Sequence, residues 1–395
     1  MPVSHPSSRR ARTWTTLALI GLPLVSLTTL SACSKKASDH PDQTANQTTV
    51  TIGYVGALTG ALAHYGKDEE NGVRLAINDI NAEHPTIAGK PVTFKLQSED
   101  DGADPRNATS AAQRLVDAGV AAVIGHTTSS STLPAAGLYN AAGIPLFAPA
   151  VTNPGLTQQG YAYVFRPIAS DVQQGKSLAE IAVTRLHAQR IAVFDDRSTY
   201  GIGMADEFEK SVKALHGQLV ARESGSDKET DFNAPLTRIK SQTPDLIFFA
   251  GNDGQAAAIA QQIRNLGMTA QFLAGDGVHT PEFIKLAGKY AEGAISTLVG
   301  LPLDKMPGGP DFQKHFQQQF GSIQLFSPYY YDATRIVAKA MQAADSTDPK
   351  VYGPKIKSID YQGVTNRIQF DAHGDLLHGQ ITAYQVQGAK WVELP

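Results

Sequence analysis

Beyond residue 48, short apolar runs alternate with longer stretches in which apolar residues recur every three or four positions. The first pattern reads as strand and the second as amphipathic helix. Residues 50–55 predict a strand, and 70–80 a helix with Val73, Ile77 and Ile80 on one face. Residues 92–96 alternate as a strand, and 105–118 form a helix that turns Leu115 and Val116 inward. The run 120–125 is apolar throughout, as a strand covered on both faces is. A helix over 132–142 and a strand over 144–148 complete this series. A second series follows: helix 171–186, strand 190–194, helix 203–216, strand 218–221, helix 235–242, strand 246–250, helix 255–266 and strand 271–274.

Such alternation predicts parallel sheets with helices on both faces, closed by right-handed crossovers. The stretch 49–395 is too long for one ordinary core, so two lobes are expected. The predicted fold class is therefore α/β, with two doubly wound parallel-sheet lobes. Ligands bind such lobes outside the carboxyl ends of the strands. The loops at those ends carry Ser, Thr, Tyr and Asp.

The first 32 residues break the pattern. Arg9, Arg10 and Arg12 precede an apolar run at 17–25, and Ser31-Ala32-Cys33 follows with no acidic residue before it. That order is a secretory leader. The run falls short of the ~20 apolar residues that span a bilayer, and Pro23 interrupts it. Small residues ahead of the chain's single cysteine predict cleavage after residue 32 and acylation of Cys33. Residues 33–48 are polar and aperiodic, which predicts a flexible tether. Loss of the leader leaves 31 basic residues against 37 acidic ones, a net of −6. That balance offers no field for nucleic acid. Association with a membrane would run through the lipid anchor, since no other apolar stretch is long enough to span one.

Several motifs stand in order along the chain: Gly56-Ala57-Leu58-Thr59-Gly60, Tyr65-Gly66, Asp100 to Pro105, Val123 to Thr132, Ala148 to Thr152, Phe165-Arg166, Tyr200-Gly201 and Gly275-Asp276-Gly277. With them the chain from Thr51 to about Pro395 resembles the branched-chain amino-acid binding proteins of bacterial ABC transporters, the leucine/isoleucine/valine type with the type I periplasmic binding fold. The resemblance implies a three-stranded hinge, with lobe 1 over 49–170 plus 299–380 and lobe 2 over 171–298 plus 381–395. It implies an extracytoplasmic, monomeric protein that closes around a small neutral amino acid and delivers it to an inner-membrane ABC permease with its ATPase. No cofactor or metal is implied.

A zwitterionic ligand needs donors for its carboxylate and an acid for its ammonium. Thr128 and Ser129 to Thr132 open a helix, where free N–H groups, hydroxyls and the positive helix end meet. Plain helix capping is the other reading of the same residues, and the resemblance places Ser129 on the ligand carboxylate. It likewise places Ala150, Val151 and Thr152 at the ligand, the Ala150 carbonyl and Thr152 hydroxyl spanning both its ends. Asp276 lies between glycines that let backbone approach a ligand, and is assigned to the ammonium, where relatives carry a glutamate. An Asp-Gly turn with no ligand role is the alternative. Tyr65 and Tyr200 match aromatic cleft walls, and Phe326 is either a third wall or core.

Three departures from the family pattern matter. Asn252 stands where leucine-type proteins have tyrosine, and Thr127 where an aliphatic residue is usual; both would make the pocket more polar if they face it. The usual disulfide, at the positions of Ala103 and Thr128, is absent. An enzyme finds little support: the glycines near residue 56 do not make a dinucleotide fingerprint, and no nucleophile elbow surrounds Ser129. A sensor of the same fold, regulating a partner instead of feeding a permease, is the remaining alternative.

Overall fold

The computed structural model describes residues 47–394. The leader 1–32, the acylation site Cys33 and the tether up to residue 46 lie outside the described residues. The fold begins at Thr48, one residue inside the expected tether, because that backbone already pairs with Val92. Among the described residues no helix is long and apolar enough to cross a membrane.

Two sheets organise the chain. The first contains β1 (Thr48–Gly56), β2 (Thr86–Ile87), β3 (Lys90–Asp100), β4 (Ala122–Gly125), β5 (Leu146–Phe147) and β6 (Val164–Phe165), in the order β2-β3-β1-β4-β5-β6. All its pairs are parallel except β2–β3. The second holds β7 (Ile191–Asp195), β8 (Leu219–Ser224), β9 (Leu246–Ala250), β10 (Gln271–Ala274) and β11 (Ile295–Leu298) in parallel. Two late antiparallel strands, β14 (Thr382–Gln387) and β15 (Lys390–Glu393), extend its edge. A small hairpin of β12 (Tyr361–Gln362) and β13 (Arg367–Ile368) stands apart.

Period-two alternation explains why the central strands are apolar throughout. Ile247 and Phe249 of β9 pack into one core while Leu246, Phe248 and Ala250 pack into another on the opposite face. In the first sheet Ala122 and Ile124 face one core and Val123 the other. A strand covered by helices on both sides has no solvent face, so every position is apolar. The chain passes between the sheets three times: after β6, after β11, and before β14.

The helices are α1 (Ala63–Ala82), α2 (Pro105–Asp117), α3 (Ser129–Ala142), α4 (Asp171–Glu180), α5 (Thr199–Ala214), α6 (Asn233–Ser241), α7 (Asp253–Asn265), α8 (Pro281–Ala287), α9 (Gly309–Phe320), α10 (Ser327–Ala344) and α11 (Pro349–Ile356). Five of them start earlier than the apolar periodicity predicts. Helix α1 begins at 63 and not 70, α3 at 129 and not 132, α5 at 199 and not 203, α6 at 233 and not 235, and α7 at 253 and not 255. The first turns of α1, α3, α5 and α7 border a cleft, where polar residues and glycine interrupt the apolar stripe. The helix expected over 171–186 ends its α-geometry at Glu180 and finishes as one π-turn, Ile181–Arg185.

Candidate functional site

The early starts of α1, α3, α5 and α7 bring four helix N-termini to one place. Between the two sheets, at the carboxyl ends of their strands, lies a cleft of about 820 Å3. Its wall includes Tyr65 of α1, Thr127 to Ser130 leading into α3, Ser198 to Tyr200 leading into α5, and Asn252 ahead of α7. Each helix start adds partial positive charge and unsatisfied N–H groups. The cleft is therefore biased towards an anionic group.

The Thr128 hydroxyl caps α3, accepting from the Ser131 N–H at 3.2 Å. Capping thus falls to Thr128 and leaves Ser129, 2% exposed, at the cleft wall without that duty. The Ser130 hydroxyl oxygen accepts from the Thr199 N–H at 3.0 Å, a bond that joins α3 to α5 across the cleft.

Asp276 supplies the opposite pole. Its Oδ1 accepts from the Tyr200 hydroxyl at 2.8 Å and from Gln174 Nε2 at 3.0 Å. Burial raises its pKa, and these two bonds work against that rise. The Gln174 amide is itself fixed, its Oε1 accepting from the Asp276 N–H at 2.8 Å and from the Thr297 hydroxyl at 2.7 Å. Behind this group stands Asp171. Its carboxylate is buried beside the hydroxyl of neighbouring Thr152, and neither makes a well-formed hydrogen bond. Burial, and then the charge of Asp276, push Asp171 up to about 8. Two carboxyl groups held this close disfavour joint ionisation unless a cation joins them.

Tyr65, 3% exposed, donates its hydroxyl to the Gly277 carbonyl at 2.8 Å, tying the first lobe to the second. Phe326 lines the cleft beside Tyr65, with ring centroids 6.5 Å apart. Buried Asp68 fixes Phe326 by accepting the N–H groups of residues 324 to 327.

Of the residues singled out in the sequence, Tyr65, Thr128, Ser129, Ala150, Tyr200, Asn252, Asp276 and Phe326 line the cleft together. Val151 and Thr152 do not. The Val151 side chain packs into the core with Leu115 and Leu156, since alternate residues of an extended loop point opposite ways. Thr152 is 1% exposed and sits behind the wall, its carbonyl accepting from Arg166 Nη1 at 3.1 Å and from the Asp171 N–H at 2.8 Å.

Thr127 also differs from expectation. Its hydroxyl donates to Glu69 Oε2 at 2.7 Å and accepts from the Ala57 N–H at 3.0 Å, so it adds no polar group to the pocket. Asn252 does: it precedes α7 without capping it, which leaves its amide at the cleft. His126 is fully buried against Asp101, with Nδ1 2.6 Å from Oδ2, and steadies the loop from below. Charged residues line the outer cleft: Asp104, from the Asp100 to Pro105 motif, and Arg106, Arg197 and Lys228, which no motif singled out. Gln174, Asp171 and Asp68 were also not singled out: Gln174 and Asp68 are polar residues of helices whose partners lie far along the chain, and Asp171 opens α4 beside Asp276, which is likewise distant in sequence.

A profile of the family described as periplasmic binding protein matches residues 49–390. An amino acid binding protein of Pseudomonas aeruginosa is 34% identical over 350 residues, covering 88% of this chain and 92% of that one. A leucine-, isoleucine-, valine-, threonine- and alanine-binding protein of the same organism is 29% identical, covering 85% and 90%. Among solved structures, a leucine-binding protein of Thermotoga maritima matches with a TM-score of 0.81 at 29% identity, covering 88% of this chain and 98% of that one. A branched-chain amino acid transporter substrate-binding protein of Streptococcus pneumoniae, in complex with isoleucine, matches with a TM-score of 0.78 at 28% identity, covering 88% and 100%.

Proposed function

This chain belongs to the periplasmic binding protein family, and we propose that it is the extracytoplasmic solute-binding component of an ABC importer for a small neutral amino acid. One observation carries the reading. A helix start at Ser129 on one lobe faces a buried carboxylate, Asp276, on the other. A free amino acid presents a carboxylate and an ammonium from one carbon, and this pair of poles suits both at once.

The ligand carboxylate takes the N–H and hydroxyl of Ser129, the ammonium takes Asp276 with Asp171 behind it, and the Ala150 carbonyl accepts between them. Tyr65, Tyr200 and Phe326 pack around the ligand side chain. Leucine, isoleucine and valine head the candidates because relatives are named for binding them. Asn252 extends the range to small polar side chains. Burying a charged side chain in the inner pocket would be heavily penalised. The cycle is capture and release, with no catalytic step. In this reading the protein is a monomer, acylated at Cys33 after removal of residues 1–32, and it hands its ligand to a permease driven by an ATPase.

Titration calorimetry on ligand-stripped protein tests the reading, using leucine, isoleucine, valine, threonine, glutamate and lysine. Binding of one or more neutral amino acids, with glutamate and lysine at least a hundredfold weaker, is the expected result. Heat from none of them would remove the amino-acid reading.

A further inference from the structure

Among the described residues, four hydrogen-bonded contacts cross the cleft between the lobes: Tyr65 to the Gly277 carbonyl, the Thr199 N–H to Ser130, Asn153 Nδ2 to the Thr199 carbonyl, and His64 Nε2 to Asp253 Oδ2; outside the ligand cleft, Lys305 Nζ also meets Glu393 Oε2 at 2.6 Å. In the first three, the bonding groups are hydroxyls, amides and backbone, which keep their protons across the physiological range. The fourth joins an imidazole to a carboxylate at 2.8 Å. We infer that His64 and Asp253 form a latch between the lobes that sets ligand affinity without touching the ligand, and that it makes affinity depend on pH. The inference rests on the closing-cleft reading above.

The placement of the pair supports this role. His64 lies in the first turn of α1 on the first lobe, and Asp253 opens α7 on the second. Neither lines the ligand cleft. Asp253 is 2% exposed with the pair formed, while His64 keeps 24% of its side chain in solvent and can exchange protons freely. The same Asp253 oxygen accepts from the Thr280 hydroxyl at 2.8 Å, so the carboxylate is aimed before the lobes meet. The N-terminus of α7 favours its negative charge.

The charges facing His64 come from the second lobe. Burial lowers the imidazole pKa, but the bond and charge of Asp253, with the charge of Glu282 on α8, raise it above the ordinary 6.5. Glu282 is shared with Lys285 at 3.0 Å, which limits its part. From its own side of the cleft the Tyr65 ring lies beside His64, at 4.2 Å between centroids, and the Ala61 backbone adds to the rise. Opening separates imidazole from carboxylate, so the protonated form favours the closed state. The sign follows: closing takes up protons, and affinity is highest below pH 6.5 and declines as pH rises through the raised value. For a partly exposed pair the decline is roughly two- to fivefold.

The test compares wild type with His64→Gln and Asp253→Asn. Calorimetry with L-leucine at pH 7.0, in two buffers of different ionisation enthalpy, counts protons taken up on binding. Other carboxyls titrate on binding, so the difference between proteins is the readout. Wild type should take up more protons than either variant, and its affinity should fall between pH 6 and pH 8.5 by several-fold more than that of His64→Gln. Equal proton uptake in wild type and His64→Gln overturns the latch. If leucine gives no heat with any of the proteins, the ligand reading has failed instead, and small-angle scattering of the ligand-free proteins at pH 5.5 and pH 8.5 decides the latch. A wild type more compact at pH 5.5 than at pH 8.5, with that difference lost in His64→Gln and Asp253→Asn, supports it, and equal pH responses in wild type and variants overturn it.

Discussion

The Tyr200 hydroxyl donates to Asp276 Oδ1 at 2.8 Å, and this bond keeps a buried carboxylate aimed at the cleft. One oxygen of Asp276 is thereby occupied by the protein, by Tyr200 and Gln174 together. In the proposed complex the other pairs with the ligand ammonium.

Asp276→Ala should therefore weaken amino-acid binding by two to three powers of ten. Removing one partner of a buried ion pair costs roughly 3–5 kcal/mol, and each 1.4 kcal/mol is about tenfold in affinity. Calorimetry measures it. An affinity within threefold of wild type would place the ammonium elsewhere.

Tyr65→Phe tests closure without altering the charges of the site. It deletes the bond from α1 to the Gly277 carbonyl but keeps the ring against Phe326. A neutral hydrogen bond contributes about 0.5–1.5 kcal/mol, so affinity should fall roughly two- to tenfold, mainly through faster release. Stopped-flow dissociation rates report it, and an unchanged off-rate would mean that this bond does not hold the lobes together.

Glu69 gives the fold a pH dependence of its own. It is fully buried beneath Thr127, and burial pushes its pKa from 4.5 up to about 8. The native state then holds a proton that the unfolded chain releases, so stability falls as pH rises from 4.5 to 8. Each pH unit in that window costs up to about 1.4 kcal/mol from this group. Glu69→Gln cannot titrate and should flatten the decline. Thermal melts from pH 5 to 8 should show a midpoint that drops by several degrees in wild type and by clearly less in the variant. Parallel curves would mean that Glu69 is charged in the native state.

Cys33→Ala should release the protein from the membrane fraction, since acylation there is the proposed anchor. Cell fractionation followed by immunoblotting checks it. Retention of the variant in the membrane pellet would sink the anchor.

Sequence determined the parts of this protein that depend on neighbours in the chain. Residues 246–250 read as a strand and fold as one, because a strand covered on both faces must be apolar at every position. The serines and threonines after β4, and Asp276 between its glycines, announced themselves through local chemistry and family motif. Periodicity failed where function begins: the first turns of α1, α3, α5 and α7 border the cleft, where polar residues and glycine interrupt the apolar stripe, and looked like loop.

The tertiary structure decided what long-range geometry alone can decide. His64 and Asp253 are 189 positions apart, and Gln174 and Asp276 are 102 apart, so no local pattern could pair them. The Thr127 hydroxyl, expected to make the pocket polar, is spent on Glu69 and the Ala57 N–H, because a buried hydroxyl bonds to whatever the fold brings within reach. Asp171 and Thr152 differ in the other direction: the fold buries the Asp171 carboxylate and the Thr152 hydroxyl beside each other and gives neither a well-formed hydrogen bond. A chain written in one dimension specifies which groups are available, and only packing determines which of them are left free to bind a ligand.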